Sequence, residues 1–67
     1  MEKYSLVGVD GNAYSIMAYV WNAMEHCGFT KEERKEYQKK AMSSDYDNLL
    51  YVSFEMIDKC NDIQENK

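Results

Sequence analysis

The chain has 67 residues, of which 45% are hydrophobic, and its 12 acidic and 8 basic residues give a formal net charge of −4. This length allows a single domain, and the apolar fraction is too high for a disordered chain. The acidic balance argues against a general nucleic-acid binder, which normally carries a basic face. No apolar run approaches the roughly 20 residues that cross a membrane, so we expect no membrane association.

A chain of this size buries only about 60% of its unfolded surface, so its core alone contributes a few kcal/mol. Disulfides, a metal ion or assembly make up the difference in natural domains of this size. The spacing of Cys27, Cys60 and His26 matches no zinc motif, so we expect neither a metal nor a cofactor. The cysteines lie in apolar stripes, which predicts buried, inert thiols in a reducing cytoplasm. The first residues lack the charged-then-apolar layout of a secretory signal, which also favours a cytoplasmic location.

The N-terminal residues 4–9 (Tyr-Ser-Leu-Val-Gly-Val) form an apolar run rich in strand-forming side chains, which predicts a short β-strand. Asp10-Gly11-Asn12 ends this run with turn-forming residues. The pair Asp10-Gly11 also suits the bend of a β-hairpin, which is the rival interpretation. We prefer a turn from strand into helix with Asn12 as the N-cap, because the following residues have helical spacing.

The first predicted helix covers about residues 13–27 and ends at Gly28, because glycine readily adopts the left-handed conformation found after a helix C-terminus. Its main apolar stripe consists of Ala13, Ile16, Met17, Val20, Met24 and Cys27. The second predicted helix covers about residues 31–42 and begins with a capping box of Thr30 and Glu33. This second helix is highly polar, so we expect it on the surface.

The third predicted helix covers about residues 46–64, and Ser44 and Asp47 before it have the spacing of another capping box. Its stripe consists of Leu49, Val52, Ser53, Met56, Ile57, Cys60 and Ile63. The sequence therefore predicts a mainly α fold, α+β at most. We expect one short N-terminal strand followed by a compact three-helix unit, as a single domain over residues 1–67.

The two apolar helices carry more hydrophobic surface than one chain can cover. Leu50 and Phe54 widen the stripe of the third helix, and the first helix adds Tyr14, Ala18, Tyr19, Trp21 and Ala23. A surface helix in a monomer needs an apolar arc of only about 100°. Burying about 400 Å² more would gain on the order of 10 kcal/mol before association costs. The sequence thus predicts a homodimer or higher oligomer. The alternative is a monomer whose tyrosine rings lie flat on the core while their hydroxyls remain exposed to solvent.

The first candidate site is the turn formed by Asp10, Gly11, Asn12, Ala13 and Tyr14. A strand that leads through glycine into a helix leaves backbone amides free in a positive dipole field, which suits phosphate or carboxylate. Asp10 would repel an anion, but it can accept a hydrogen bond from a sugar hydroxyl or a base amino group. A turn followed by an N-cap explains the same residues without any ligand, and both interpretations stay open.

The second candidate site is the start of the third helix at Ser44, Asp45 and Tyr46, where the tyrosine can stack on a base. Lys40 or Arg34 would supply a compensating positive charge for a phosphate. Capping alone also explains this loop, and a solvated helix face explains the basic residues, which alternate with glutamates. The loop lacks the glycine and the glutamate of a calcium site.

Three segments carry a resemblance to a known group: Leu6-Val7-Gly8-Val9-Asp10-Gly11-Asn12-Ala13, then Ser43-Ser44-Asp45-Tyr46-Asp47-Asn48-Leu49-Leu50, then Met56-Ile57. They resemble small proteins encoded by bacteriophages and prophages, over roughly residues 6–60. The resemblance implies a compact accessory protein of a mobile element. Such proteins are often non-enzymatic inhibitors of host defence, which sequester a nucleotide signal or block a defence protein.

Two functional hypotheses follow. In the first, an oligomeric protein sequesters a small nucleotide, with helix N-termini on its phosphate and a tyrosine on its base. In the second, the chain blocks a host defence protein by direct contact. A structural or regulatory oligomer without a small ligand is a further alternative. We expect no enzyme, because His26 is the only histidine and no nucleophile or paired carboxylate accompanies it.

Overall fold

The computed structural model describes residues 4–65, which contain three helices: α1 (Ala13–His26), α2 (Lys31–Ala41) and α3 (Tyr46–Glu65). Each of these helices begins at the residue that the sequence predicts and ends within one residue of the predicted bound. Within residues 4–65, no helix is both long enough and apolar enough to cross a bilayer. The prediction of a mainly α fold is confirmed.

Helices α1 and α3 run in the same direction and pack against each other, and α2 runs back and contacts both. Gly11, just before α1, contacts Tyr46, the first residue of α3. Cys27, just after α1, contacts Cys60 near the end of α3. One end of the molecule therefore contains both helix starts, and the opposite end contains both cysteines.

Side chains and backbone groups fix the ends of α1 and the start of α2 as predicted. The Asn12 side chain accepts a hydrogen bond from the Tyr14 amide at 2.8 Å. Thr30 and Glu33 form the reciprocal capping box, with bonds of 2.8 and 3.1 Å. Gly28 has a φ of +93°, which lets the next amide bond back to the last turn of α1.

The start of α3 differs from the prediction at one residue. The Asp45 carboxylate, and not the Ser44 hydroxyl, accepts a hydrogen bond from a first-turn amide, that of Asn48, at 3.0 Å. Asp45 directly precedes the helix, and its carbonyl accepts the next bond, from Leu49. The predicted capping box of Ser44 and Asp47 was therefore wrong by one position, because Ser44 lies one residue too early to cap.

The core lies where the three helices meet, and one polar pair is buried within it. The Tyr37 and Ser53 hydroxyls share a hydrogen bond of 2.7 Å, which joins α2 to α3. The buried apolar residues are Ile16, Met17, Val20, Ala23, Met24, Cys27, Tyr37, Ala41, Leu49, Ile57 and Cys60. Burial of the phenol raises the pKa of Tyr37, although the bond to Ser53 acts in the opposite direction.

The predicted strand at residues 4–9 is wrong: no part of the described chain is a strand. Gly8 has a φ of +88°, and the Val9 amide bonds to the Leu6 carbonyl at 3.2 Å, so the segment bends in a turn. The backbone groups of Tyr4 bond to the Asn61 side chain instead of to another strand, at 2.7 and 3.0 Å. One side-chain amide thus satisfies both groups for which a strand would need a neighbour.

This N-terminal segment, residues 4–12, also covers part of the excess apolar surface. Tyr4, Leu6 and Val9 are partly buried and pack against the core. The large hydrophobic residues that stay exposed are Val7, Tyr14, Met42, Tyr46, Tyr51 and Phe54. The sequence-based prediction did not include the apolar helix surface that this segment covers. The segment was expected to form a strand, and no contact between that strand and the helices was predicted.

Candidate functional site

An open groove of about 270 Å³ lies at the end of the molecule where α1 and α3 begin. Five predicted site residues line it: Ala13, Tyr14, Ser44, Asp45 and Tyr46. The remaining walls and floor come from Met17, Ala41, Met42 and Leu49. The two candidate sites, which lie about thirty residues apart along the chain, thus form one site in the fold.

A hydrogen bond holds the two segments together. The Tyr46 hydroxyl donates to the backbone carbonyl of Gly11. A Cβ atom on Gly11 would stand 3.5 Å from that hydroxyl, which is ordinary contact, and Gly11 has no positive φ. Asp10, Gly11 and Asn12 therefore lie beside the groove and fix its shape, but they do not line it.

Capping side chains occupy amides that an anion would need. Asn12 accepts a bond from the Tyr14 amide at 2.8 Å, and Asp10 accepts one from the Asn12 amide at 3.2 Å. At the other helix start, Asp45 accepts from the Asn48 amide at 3.0 Å. A phosphate bound here would have to displace these oxygens and approach two carboxylates.

The predicted positive charges lie away from this groove. Lys40 lines a different groove, between α2 and α3, together with Glu36 and Glu55. Its backbone carbonyl accepts a bond from the Asn48 side chain at 2.8 Å, so only its main chain is near the start of α3. Asp45 is the only charged residue that lines the groove in the described part of the chain.

The guanidinium of Arg34 is held against α1. It lies 4.9 Å from the centre of the Trp21 ring, where a cation–π interaction is favourable. Its Nη1 is also 3.8 Å from the Glu25 carboxylate. Arg34 therefore stabilises the contact between α1 and α2 and does not face the groove.

A second shallow depression of about 240 Å³ extends the groove along α1. It shares Tyr14 and Met17 with the first and continues past Ala18 to Trp21. Methionine is unbranched and polarisable, so Met17 and Met42 can adapt to differently shaped apolar groups. Together the two depressions form an apolar channel along about two turns of α1.

Sequence reasoning missed Met17, Met42 and Leu49 as groove residues. Met17 and Leu49 were assigned to the core stripes, and each indeed has one side in the core. Met42 gave a usable signal, because a large apolar residue at the end of an otherwise polar helix has no core position to fill. Asn61 had no such signal, since nothing in the sequence pairs it with Tyr4.

Both predicted buried thiols lie at the end of the molecule opposite the groove. Burial raises the pKa of Cys60 to about 12, and the neighbouring thiol of Cys27 contributes to that rise. No three histidine, cysteine or carboxylate side chains of residues 4–65 are grouped so that they could hold a metal ion.

Comparison of the chain with protein-family models, with curated proteins and with solved structures gives no match in any of the three.

Proposed function

We propose that this chain is a non-enzymatic binding protein whose groove receives an apolar or aromatic side chain of a partner protein. The observation that carries the proposal is the composition of the groove: two methionines, two tyrosines, two alanines and a leucine surround one serine and one aspartate. Such a surface gains free energy when it is covered by apolar atoms, at about 25 cal/mol for each Å² removed from water.

The size of the groove also favours a side chain over a whole small molecule. Pockets for small ligands typically have volumes of about 300–1,000 Å³. The groove has about 270 Å³ and is open to solvent along one side. A partner helix that lies along α1 would place one side chain in the groove and the next in the depression near Trp21. With the resemblance to phage-encoded proteins, this favours a bacterial defence protein as the partner.

A photo-crosslinking experiment tests this proposal directly. Tyr14, which is 73% exposed in the groove, and Tyr51, which is 68% exposed on the far side of α3, form a matched pair. Each is replaced in turn by p-benzoyl-L-phenylalanine, and the protein is irradiated in a bacterial host lysate. We expect a heterologous adduct from position 14, identified by mass spectrometry, and none from position 51.

The same experiment has a variant that separates specific docking from general stickiness. Met42→Lys places a charge at the rim of the groove, where Met42 is exposed and makes little core contact. We expect it to remove the adduct at position 14. Equal heterologous labelling from positions 14 and 51, or labelling that survives Met42→Lys, would contradict the proposal.

Nucleotide sequestration is a second candidate function, favoured by the meeting of Tyr14 and Tyr46 at one groove where two helices begin. A base would stack on a tyrosine ring, and the phosphate would compete with Asn12 and Asp45 for the first-turn amides.

A thermal-shift panel of linear and cyclic nucleotides tests whether the chain binds a nucleotide. A single-site ligand at 100 times its Kd adds about 2.7 kcal/mol to the free energy of unfolding. Tyr14→Ala should abolish that gain and Tyr51→Ala should not; no shift with any nucleotide rejects this candidate.

We also infer that a second copy of the chain covers the outer face of α3, defined here as Leu50, Tyr51 and Phe54. Tyr51 and Phe54 are large, exposed and adjacent on this helix, and neither lines the groove. A homodimer through this face would leave the groove free for another partner. Sedimentation equilibrium at micromolar concentration should give a dimer mass, and Phe54→Lys should give the monomer mass. A monomeric, folded wild type would contradict the inference.

A further inference from the structure

Cys27 and Cys60 form a buried thiol pair at the end opposite the groove. The Cys27 thiol donates to the Cys60 carbonyl at 3.7 Å, and both residues are buried. Burial, and then the neighbouring Cys27 thiol, raise the pKa of Cys60. The side-chain amide of Gln64 donates to the Cys27 sulfur at 3.8 Å. Cys27, just after α1, and Cys60, on α3, are thus neighbours at the same end of the bundle.

The start of the N-terminal segment covers this pair. The Tyr4 ring packs edge-on against Tyr19, with the ring centres 6.4 Å apart. Burial, and then the neighbouring Cys27 thiol, raise the pKa of the Tyr4 hydroxyl. Its backbone is held by the Asn61 side chain, and the Ser5 amide bonds to the Tyr19 hydroxyl at 2.9 Å. Bonds to side chains, rather than a ladder of backbone bonds, hold the start of this segment. It therefore opens locally more easily than a helix whose amides bond within its own backbone.

We propose that Cys27 and Cys60 form a reversible intramolecular disulfide by exchange with a small-molecule disulfide such as oxidised glutathione, after the Tyr4 cover lifts. One cysteine loses its proton to water and attacks the oxidant, which expels one glutathione thiolate and leaves a mixed disulfide. The second cysteine then loses its proton and attacks the sulfur of the first, which expels the second glutathione. Two protein thiols are oxidised, and one glutathione disulfide is reduced to two thiols.

Cys27 is the first nucleophile in this sequence. It follows α1 rather than lying within a helix, and 8% of its surface is exposed. Cys60 lies on the inner face of α3 and is fully buried. It therefore acts as the resolving thiol, which reacts only with its neighbour.

The bridge would join the end of α1 to α3 and enclose all of α2 in the closed loop. A closed loop restricts the unfolded chain, so we expect the ratio of unfolded to folded protein to fall on the order of 100-fold. The groove lies at the other end of the molecule, so ligand binding there is expected to be unchanged. The inference consequently does not depend on the proposed function.

The test uses the folded wild-type chain and oxidised glutathione at pH 8, with samples quenched by acid over time. Intact mass spectrometry should show the loss of two hydrogen atoms without a retained glutathione. Asn61→Ala, which loosens the Tyr4 cover, should speed bridge formation several-fold. The matched control is Asn48→Ala: Asn48 is also on α3 and also bonds a backbone carbonyl, but at the groove end.

The wild type alone shows whether the Cys27–Cys60 bridge forms, so the test remains decisive even if one variant folds poorly. A bridge within the monomer that raises the urea midpoint supports the proposal, as does a retained glutathione in Cys60→Ser. A wild type that keeps one glutathione, links to a second chain, or oxidises only when denatured overturns it. Equal rates for Asn61→Ala and Asn48→Ala would overturn the role of the cover.

Discussion

The two ends of the bundle differ in what lies over them, although the same parallel helices form both. At the end where α1 and α3 begin, Tyr14, Met42 and Tyr46 are exposed around a groove. At the opposite end, Tyr4 and Asn61 close the space above Cys27. The N-terminal segment reaches both ends, since Tyr4 bonds to Asn61 and Gly11 contacts Tyr46.

The apolar side chains at the groove are exposed even though the N-terminal segment passes close to them. The segment passes beside the groove, and Gly11 contacts Tyr46 there, yet its apolar residues point elsewhere. Residues 10–12 beside the groove are polar, whereas Tyr4, Leu6 and Val9 pack on the core. The sequence thus leaves apolar side chains uncovered at one end while it hides thiols at the other, which favours a binding role for the open end.

The largest expected effect separates the floor of the groove from its rim. Leu49 is 3% exposed and Met42 is 57% exposed, although both line the groove. Leu49→Ala should lower the free energy of unfolding by about 3 kcal/mol, because it leaves a cavity in the core. Met42→Ala should change it by less than about 0.5 kcal/mol. Urea denaturation measures both; similar losses would mean that the rim is part of the core.

The next effect belongs to the covered end and depends on pH. The pKa of Cys60 is raised by burial and by Cys27 to about 12, from an ordinary value of 9.0. Because the pKa is higher in the folded state, the protonated thiol contributes its full stabilisation of the fold below pH 9. This stabilisation is lost as the pH rises toward 12. The free energy of unfolding should fall by about 2 kcal/mol between pH 9 and pH 10.5 from this thiol alone.

Urea denaturation at the two pH values, in the presence of a reductant, measures this loss. Burial also raises the pKa of Tyr37, which adds a loss of the same sign. Cys60→Ala isolates the thiol, since it removes the cysteine contribution and keeps that of the tyrosine. If the wild type and Cys60→Ala lost the same stability, the Cys60 thiol would be accessible to water and the covered end would be open.

A smaller effect concerns the polar pair between the two ends. Tyr37→Phe removes one hydroxyl and leaves that of Ser53 buried without its 2.7 Å partner. We expect a loss of about 1.5 kcal/mol, and a coupling of about 1 kcal/mol in a double-mutant cycle with Ser53→Ala. Denaturation of the two single variants and the double variant measures the coupling. Additive losses would show that the two hydroxyls are satisfied independently.

The helices were predictable from sequence because their signals are local. Thr30 with Glu33, Asn12, and Gly28 each act within one helical turn, and all three act in the structure as the sequence indicates. The sequence gives no local sign that residues 4–9 do not form a strand, since these residues do favour strands. What decides against it is the lack of a pairing partner and the long-range bonds to Asn61, which no local pattern encodes.

The sequence indicated five of the nine residues that line the groove, but not the charges around it. Both helix starts were identified, and Tyr14 and Tyr46 do meet at one groove. The expected cation was not found there, because the positions of Lys40 and Arg34 depend on how α2 packs. Arg34 is held by Trp21 and Glu25 on α1, and a contact between two helices leaves no mark in either sequence alone.

The smallest predicted effect tests the turn that separates the covered end from the groove. Gly8 has a φ of +88° and open space where a Cβ atom would stand, so Gly8→Ala adds backbone strain and no clash. We expect the free energy of unfolding to fall by about 1 kcal/mol, together with faster hydrogen exchange at the Tyr4 amide, because the cover docks less tightly.

Gly11→Ala is the matched control. Its φ is ordinary and its Cβ would only touch the Tyr46 hydroxyl, so stability should stay within about 0.5 kcal/mol. Equal losses at the two glycines would mean that the turn does not hold the cover in place, since only one of the two positions strains the backbone.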